Sequence, residues 1–257
     1  MAVHDGFQPV KSAGRTLAVL EALAAAPDRQ SLGNLARLLG IPKSSLHGIL
    51  RTMTQRGWVE ADPTGTRFGL GVRALQVGAA YLTADNTVSL LDAVLDGLAG
   101  QFGETVHLGR LDGPHVVYLA KRESVHPLRL YSAIGRQLPA HATALGKALL
   151  AEHPDDTVER VLAWPLHRMT RQTIDDPATL RTALAEIRER GYAVDREENT
   201  EGIVCVAMAM PLRRPATDAI SLSIPTARVD ATIEARIVEA LRSAAGQIRS
   251  AGALITS

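Results

Sequence analysis

The sequence has a single cysteine, Cys205, in 257 residues. An intramolecular disulfide is therefore excluded, and so is a zinc site built from several thiolates. No apolar run is long enough to cross a bilayer. The first ten residues (MAVHDGFQPV) have no basic start followed by an apolar stretch, so no secretory leader is expected and a cytoplasmic location is. Internal repeats and low-complexity stretches are absent too. What remains is an ordinary globular composition, 46% hydrophobic and 21% charged, which excludes a disordered chain. The length exceeds one average domain and falls short of two large ones, so two compact units are expected.

The net charge of only +1 conceals a split. Residues 1–75 carry nine Lys/Arg against five Asp/Glu, whereas residues 76–257 carry 19 against 22. A basic head on a mildly acidic body suits a head that binds nucleic acid. Chance in a short segment would produce the same numbers, so the pattern along the chain has to decide.

Residues 12–25 place Leu17, Leu20, Leu23 and Ala24 at helical spacing. A second short helix is expected over 31–39, with Ser31 as N-cap, and Gly40 breaks it. A third covers 42–55, with Pro42 in its first turn and Gly57 closing it. Residues 58–61 and 66–70 are β-prone and flank the turn Asp62-Pro63-Thr64-Gly65, which predicts a hairpin.

Residues 32–52 carry the most information. Leu35, Leu39, Ile41, Leu46 and Ile49 are apolar, Ala36 is small where two helices must approach closely, and Gly40 sits at the turn between them. A helix-turn-helix needs these features. Left outside are Lys43, Ser44, Ser45, His47, Gly48, Arg51 and Thr52, short polar or basic side chains on the second helix. Such a face enters a major groove, where hydroxyls and cations reach phosphates and base edges. The hairpin makes the unit a winged helix, with Thr64, Thr66 and Arg67 near its tip as further candidates for backbone or minor-groove contact. A three-helix cap used only for protein contacts is the competing reading.

Residues 72–82 return to helix, with Val72, Leu75, Ala79 and Leu82 along one side. Such a connecting helix is expected to pair with a copy of itself, because one small winged helix binds weakly and paired half-sites supply affinity. Packing of its Gly78-Ala79-Ala80 face on its own domain is the alternative. A helix over 86–102 follows. Strands are expected over 105–111, 115–122, 128–132, 192–195, 203–210 and 219–225, and helices over 142–152, 177–190 and 231–251. Without strict βαβ alternation, the second half reads as α+β around a mostly antiparallel sheet.

Several residues have competing readings. Cys205 with His141 as its base would make a nucleophilic pair, but a lone cysteine in an apolar strand is more simply a packed small hydrophobe or a pocket wall. His107 and His115, facing one another across a hairpin, would suit a metal, but they read better as surface or hydrogen-bonded histidines, and no metal or cofactor is expected. His141, before a helix, suits a local backbone hydrogen bond. Lys147 after Gly146 resembles the end of a phosphate loop whose remainder is missing. Glu197, Glu198 and Glu201 read as a solvated acidic loop, and Arg213 and Arg214 as loop charges.

The motifs quoted above, with residues 12–20 (SAGRTLAVL), 39–45 (LGIPKSS) and 68–71 (FGLG), resemble the IclR family of bacterial transcriptional regulators. In the second half, residues 138–148 (LPAHATALGKA), 195–206 (DREENTEGIVCV) and 220–224 (ISLSI) are similar to the signatures of that family's effector domain. The resemblance spans about residues 11–251. It implies a winged helix-turn-helix domain over 1–70, a linker helix over 71–84 and a GAF-like effector domain over 85–257. It also implies homodimers or dimers of dimers on double-stranded operator DNA, repressing or activating a catabolic or metabolic operon in response to a small organic acid or related metabolite.

By match, the effector-binding groups implied are the backbone amides around Ala144 and Leu145, the carboxylate of Asp195, the thiol of Cys205 and the hydroxyls of Ser221 and Ser223. Amides in the first turn of a helix suit an anion. Ser221 and Ser223 alternate with Leu222 and Ile224, so both hydroxyls face one side of a strand. Asp195 would repel a carboxylate unless protonated or hydrogen-bonded, so it is expected to meet a hydroxyl or an amide. The chain departs from the family at Ala144, where glycine is common, and Leu145 is bulky. A smaller or more apolar pocket than that of members binding glyoxylate-like acids is expected. An enzyme using Cys205 and His141, and a pure oligomerisation module, are the competing classes.

Overall fold

The computed structural model describes residues 10–127 and 132–250. The chain divides between Asp85 and Asn86 into two compact units. The first holds α1 (Lys11–Ala25), β1 (Gln30–Ser31), α2 (Leu32–Leu39), α3 (Lys43–Gln55), β2 (Val59–Ala61), β3 (Arg67–Leu70) and α4 (Val72–Ala84). Its core is Val19 and Leu23 of α1, Leu35 of α2, Ile41, then Leu46, Leu50 and Met53 of α3, closed by Val59. The expected face of α1 needs correction. Val19 and Leu23 are buried and Leu20 half-buried, while Leu17 and Ala24 are exposed. Leu17 lies two residues, about 200°, around the helix from Val19 and cannot share its side.

The turn between α2 and α3 forms as the sequence requires. Ser31 Oγ accepts the Asn34 amide at 3.2 Å, and Gly40 ends α2 at φ 61° with its amide donating to the Ala36 carbonyl. Only glycine adopts that conformation at little cost. Pro42 flanks α3 rather than sitting inside it, and its carbonyl accepts the Leu46 amide at 3.0 Å. The wing has three strands in the order β1-β3-β2, all antiparallel. The two-residue β1 is too short to announce itself by alternation. Helix α4 buries none of its side chains, and Val72, Leu75, Val77 and Tyr81 are exposed.

The second unit holds α5 (Thr87–Phe102), β4 (Thr105–Asp112), β5 (His115–Arg122), β6 (Gln137–Pro139), a 3-10 turn (Ala140–Ala142), α6 (Ala144–Leu150), α7 (Asp155–Val161), α8 (Pro177–Arg190), β7 (Ala193–Arg196), β8 (Ile203–Met210), β9 (Asp218–Pro225) and α9 (Ala231–Ser250). Six antiparallel strands run in the order β6-β5-β4-β9-β8-β7. Residues 128–131 of an expected strand lie outside the described residues, and the third strand beside β5 is Gln137–Pro139. α7 was not expected. Its signals are Pro154 before it and Asp155 and Asp156 in its first turn.

Alternation gives the sheet two apolar faces. Val116 and Tyr118 of β5, Ala193 of β7, Ala207 of β8 and Ala219 of β9 join one core cluster with α6 and α8. The small residues on this face let α6 lie close. Two glycines set its position. At Gly109 a Cβ would stand 2.6 Å from Val116 and 2.9 Å from a Leu145 methyl. At Gly146 a Cβ would stand 2.1 Å from the Ala140 carbonyl oxygen, which is backbone and cannot move aside. Gly146→Ala is therefore expected to destabilise the second unit by at least about 1–3 kcal/mol in chemical denaturation. Gly97→Ala in α5, where a Cβ meets nothing within 4 Å, should be neutral or stabilise by up to about 1 kcal/mol.

Candidate functional site

Two surfaces carry the residues singled out above. On α3, Leu46, Leu50 and Met53 form the buried i, i+4, i+7 stripe. Lys43, Ser44, Ser45, His47, Gly48, Arg51 and Thr52 are all exposed on the remainder. The Thr52 hydroxyl donates back to the Gly48 carbonyl at 3.0 Å. At the wing, Asp62 organises the tip. Its Oδ1 accepts the amides of Thr66 (2.8 Å) and Arg67 (2.9 Å), and its Oδ2 accepts the Thr64 hydroxyl at 2.7 Å. Those bonds, the Arg67 amide first, hold the Asp62 carboxyl below its ordinary range. Thr64 and Thr66, expected as free contact groups, instead bond each other at 2.7 Å. The Arg67 side chain is exposed and reaches the Arg29 carbonyl at 3.4 Å.

In the second unit, register brings distant residues together. Asp195 of β7 pairs with Cys205 of β8, Cys205 with Ser223 of β9, and Ser221 with both Ala207 and His107. Directly paired residues share a side of the sheet. Ala144, Leu145, Asp195, Cys205, Ser221 and Ser223 accordingly line one cavity under the start of α6. Its volume is about 20 Å³, room for about one water molecule. Tyr118, Thr143, Asn199 and Thr200 line it too and were not anticipated. Thr143 caps α6 by accepting the Gly146 amide at 3.0 Å. That leaves Ala144 and Leu145 in the first turn, where amides have no partner within the helix.

Around this cavity the polar groups are interlocked. Cys205 Sγ lies 3.1 Å from Ser223 Oγ. His107, buried and stacked on Tyr118 with ring centroids 4.4 Å apart, lies 2.7 Å from Ser132 Oγ and 3.5 Å from Ser223 Oγ. Its place was legible in the alternation of 105–111, which puts Thr105, His107 and Gly109 on one side. Asp195 Oδ1 accepts the Glu198 amide at 2.6 Å. Glu198 is not solvated as expected. It is buried and forms an ion pair with buried Lys147 of α6, whose ammonium also donates to the Val194 carbonyl at 2.8 Å. Glu197 closes its own loop by accepting the Gly202 amide at 2.7 Å, and only Glu201 is fully exposed. A buried lysine without such a partner would be costly, which is why the loop turns inward.

The pairings weighed for Cys205 with His141 and for His107 with His115 do not form. His141 Nε2 donates to the carbonyl of His167, 26 residues away, at 3.0 Å, so its bond is neither local nor to Cys205. Burial, and then Asp195, push the Cys205 thiol up, so it is a thiol and not a thiolate nucleophile. His107 pairs with Lys121, and His115 with Asp112, so the two histidines do not face one another. Among the described residues no cluster of His, Cys, Asp and Glu suits a metal ion. Arg213 is more than a loop charge. With Arg110 it pairs to Asp218, which is fully buried in β9.

Two buried groups titrate oppositely. Burial, and then Lys121, lower His107 to about 3, whereas burial, and then Glu198, raise Asp195 to about 7. Between pH 3 and about 6.5 the unfolded chain protonates its histidine and the folded chain does not, so acidification destabilises. Between about 3.9 and 7 folded Asp195 keeps a proton that the unfolded chain releases, so acidification stabilises. In denaturant unfolding at pH 4.5, 5.5 and 6.5, His107→Gln should gain stability on acidification relative to wild type, by on the order of 1 kcal/mol per pH unit. Asp195→Asn should lose it relative to wild type by a similar amount. Equal slopes in all three proteins would refute both assignments.

Comparison with known proteins identifies the family of both units. Residues 12–63 match the IclR helix-turn-helix domain, and residues 79–250 match the C-terminal domain of bacterial IclR transcriptional regulators. The HTH-type transcriptional regulator XynR of Escherichia coli K12 is 33% identical over 237 residues, 91% of this chain and 94% of that protein. The glycerol operon regulatory protein of Streptomyces coelicolor is 36% identical over 205 residues, 80% of each. The crystal structure of an IclR transcriptional regulator from Alicyclobacillus acidocaldarius matches with a TM-score of 0.82 at 27% identity, covering 95% of this chain and 99% of that one. The relatives are regulators and not enzymes, which leaves no place for a Cys205–His141 hydrolase. With a DNA-binding head and an effector-type body both matched, the chain belongs to the IclR family of bacterial transcriptional regulators.

Proposed function

We propose that the chain represses or activates a bacterial metabolic operon from the cytoplasm, as a homodimer or dimer of dimers, in response to a small organic acid bound in the cavity under α6. One observation carries the reading. Six residues drawn from α6, β7, β8 and β9, spread over 80 positions of sequence, converge on a single cavity. The amides of Ala144 and Leu145 suit an anion, and Cys205, Ser221 and Ser223 supply polar groups that orient it. The cavity holds about one water molecule, so an organic acid fits only a more open arrangement. A ligand that binds one of two arrangements shifts the population toward it. Helix α4 passes directly into the chain leading to α5, and its exposed apolar side chains suit pairing with a second copy.

The DNA contacts proposed are Lys43, Ser44, Ser45, His47, Arg51 and Thr52 on α3, which enters the major groove, with Arg67 at the wing. Arg51→Ala should weaken operator binding about tenfold, on the order of 1–3 kcal/mol, and reduce the salt slope by about one if it touches phosphate. Unchanged affinity and slope in a fluorescence titration would assign the groove contact elsewhere. For the cavity, Ser221→Ala combined with Cys205→Ala should abolish release or recruitment by effector while the effector-free protein still binds operator. A double variant that responds normally would put the effector in another place.

A further inference from the structure

Among the described residues the cavity under α6 has polar walls but no cation in its lining, although the Arg136 charge reaches the Tyr118 phenol. None of its described lining residues is Lys or Arg. The ammonium beside it, Lys147 of α6, is buried and already held by Glu198 and the Val194 carbonyl. Lys147 is thereby paired, and of the two charges Glu198 acts the more strongly on Asp195. The ionisable groups left on the wall are the Asp195 carboxyl, the Tyr118 phenol from β5 and the Cys205 thiol from β8. Burial keeps the phenol and the thiol protonated, and His107 of β4, stacked on Tyr118, stays neutral. Donors are present. The buried Nδ2 of Asn199 has no hydrogen-bond partner, while its Oδ1 accepts the Thr200 hydroxyl at 3.2 Å, and Ser221 and Ser223 present hydroxyls.

A carboxylate entering this space would stand beside Asp195, met by the amide dipoles of Ala144 and Leu145 but by no Lys or Arg among the described lining residues to offset the second negative charge. Two carboxylates sharing a desolvated site do not both stay ionised, and one takes a proton. The surroundings select Asp195. It already lies against Glu198 on its own loop, and its Oδ1 is fixed by the Glu198 amide.

On the reading that this cavity is the effector site, we propose that it takes a small monocarboxylate together with one proton, which resides on Asp195 and is donated in a hydrogen bond to the ligand's carboxylate. The uptake balances as ligand anion plus one solvent proton plus ionised Asp195 giving ligand anion bound to neutral Asp195. Burial and Glu198 hold Asp195 at about 7 in the free protein. Above that pH the proton comes from solvent, so affinity falls about tenfold per pH unit. Below it the proton is already in place, and affinity levels off. Acid load and acidification therefore act on the regulator in the same direction.

Titration calorimetry of the full chain tests this with acetate, glycolate and butyrate, each against its amide, at pH 5.5 and 8.0 in buffers of different ionisation enthalpy. Uptake of about one proton per acid is expected at pH 8.0, little at pH 5.5, and none with an amide. Asp195→Asn keeps an Oδ1 acceptor for the Glu198 amide and should bind the acids equally at both pH values. Acids bound at pH 8.0 without proton uptake, or amides preferred to acids, would overturn the proposal. Infrared spectra of the ligand-free protein give a readout independent of any effector. A protonated-carboxyl band at pH 5.5 that disappears in Asp195→Asn is expected, and its absence overturns the proposal. If the band is present and neither acids nor amides bind, the effector reading of the cavity fails and this proposal fails with it.

Discussion

The second unit turns on one buried ion pair, Lys147 with Glu198. Lys147 sits in the middle of α6, the helix that lies over the small-residue face of the sheet. Its ammonium grips both the carbonyl of Val194 in β7 and the carboxylate that follows β7. Breaking such a pair by removing one partner leaves an uncompensated buried charge, a loss of about 3–5 kcal/mol. The pair therefore decides where the loop after β7 runs. Thr170 and Thr173 fasten the same loop by donating to the carbonyls of Glu197 and Glu198, each at 2.6 Å. Asn199 and Thr200 are thereby carried onto the cavity wall. The same pair neutralises Lys147, which is what leaves Asp195 without a cation.

The first unit follows a different logic. Among the described residues its small core has no buried charge, and every candidate contact residue of α3 is exposed because the buried stripe takes the other side of the helix. The wing depends instead on local hydrogen bonds. Asp62 accepts three of them within five residues of chain, and the tip geometry follows from that carboxylate being ionised.

Much of this was legible in the sequence where periodicity and turn chemistry agree. Ser31, Gly40 and the apolar spacing of α3 gave the helix-turn-helix, and the alternation in 219–225 put Ser221 and Ser223 on one side. The misses share a cause. Leu17 reads as core by composition, but burial is decided by angle around the helix, and Val19 wins. Glu198 reads as surface because carboxylates usually are, and its partner lies 51 residues away in a helix. Tyr118 lines the cavity, with His107 stacked behind it, through strand order, β5-β4-β9; alternation gave the side of the sheet that His107 takes but not its neighbour. The resemblance to the family supplied the residues near the cavity, and the structure supplied the groups behind them.

A cavity with room for about one water constrains mechanism as well as specificity. Hydroxyls, a thiol and a half-buried carboxamide line it, but Leu138, Leu145 and Ile203 close it. The two methyls of Leu145 rest over Gly109, the residue of β4 beside Arg110, whose guanidinium meets Asp218 and the Thr87 hydroxyl at the start of α5. A ligand larger than water must shift Leu145 or the loop after β7. Displacing Leu145 presses on a glycine at the one point where β4 and β5 change register. Interiors packed this closely deform by discrete rearrangement and not by continuous yielding. On the proposed reading of the cavity, the polar groups of the wall set which ligand is admitted, while the apolar closure makes its entry a structural event.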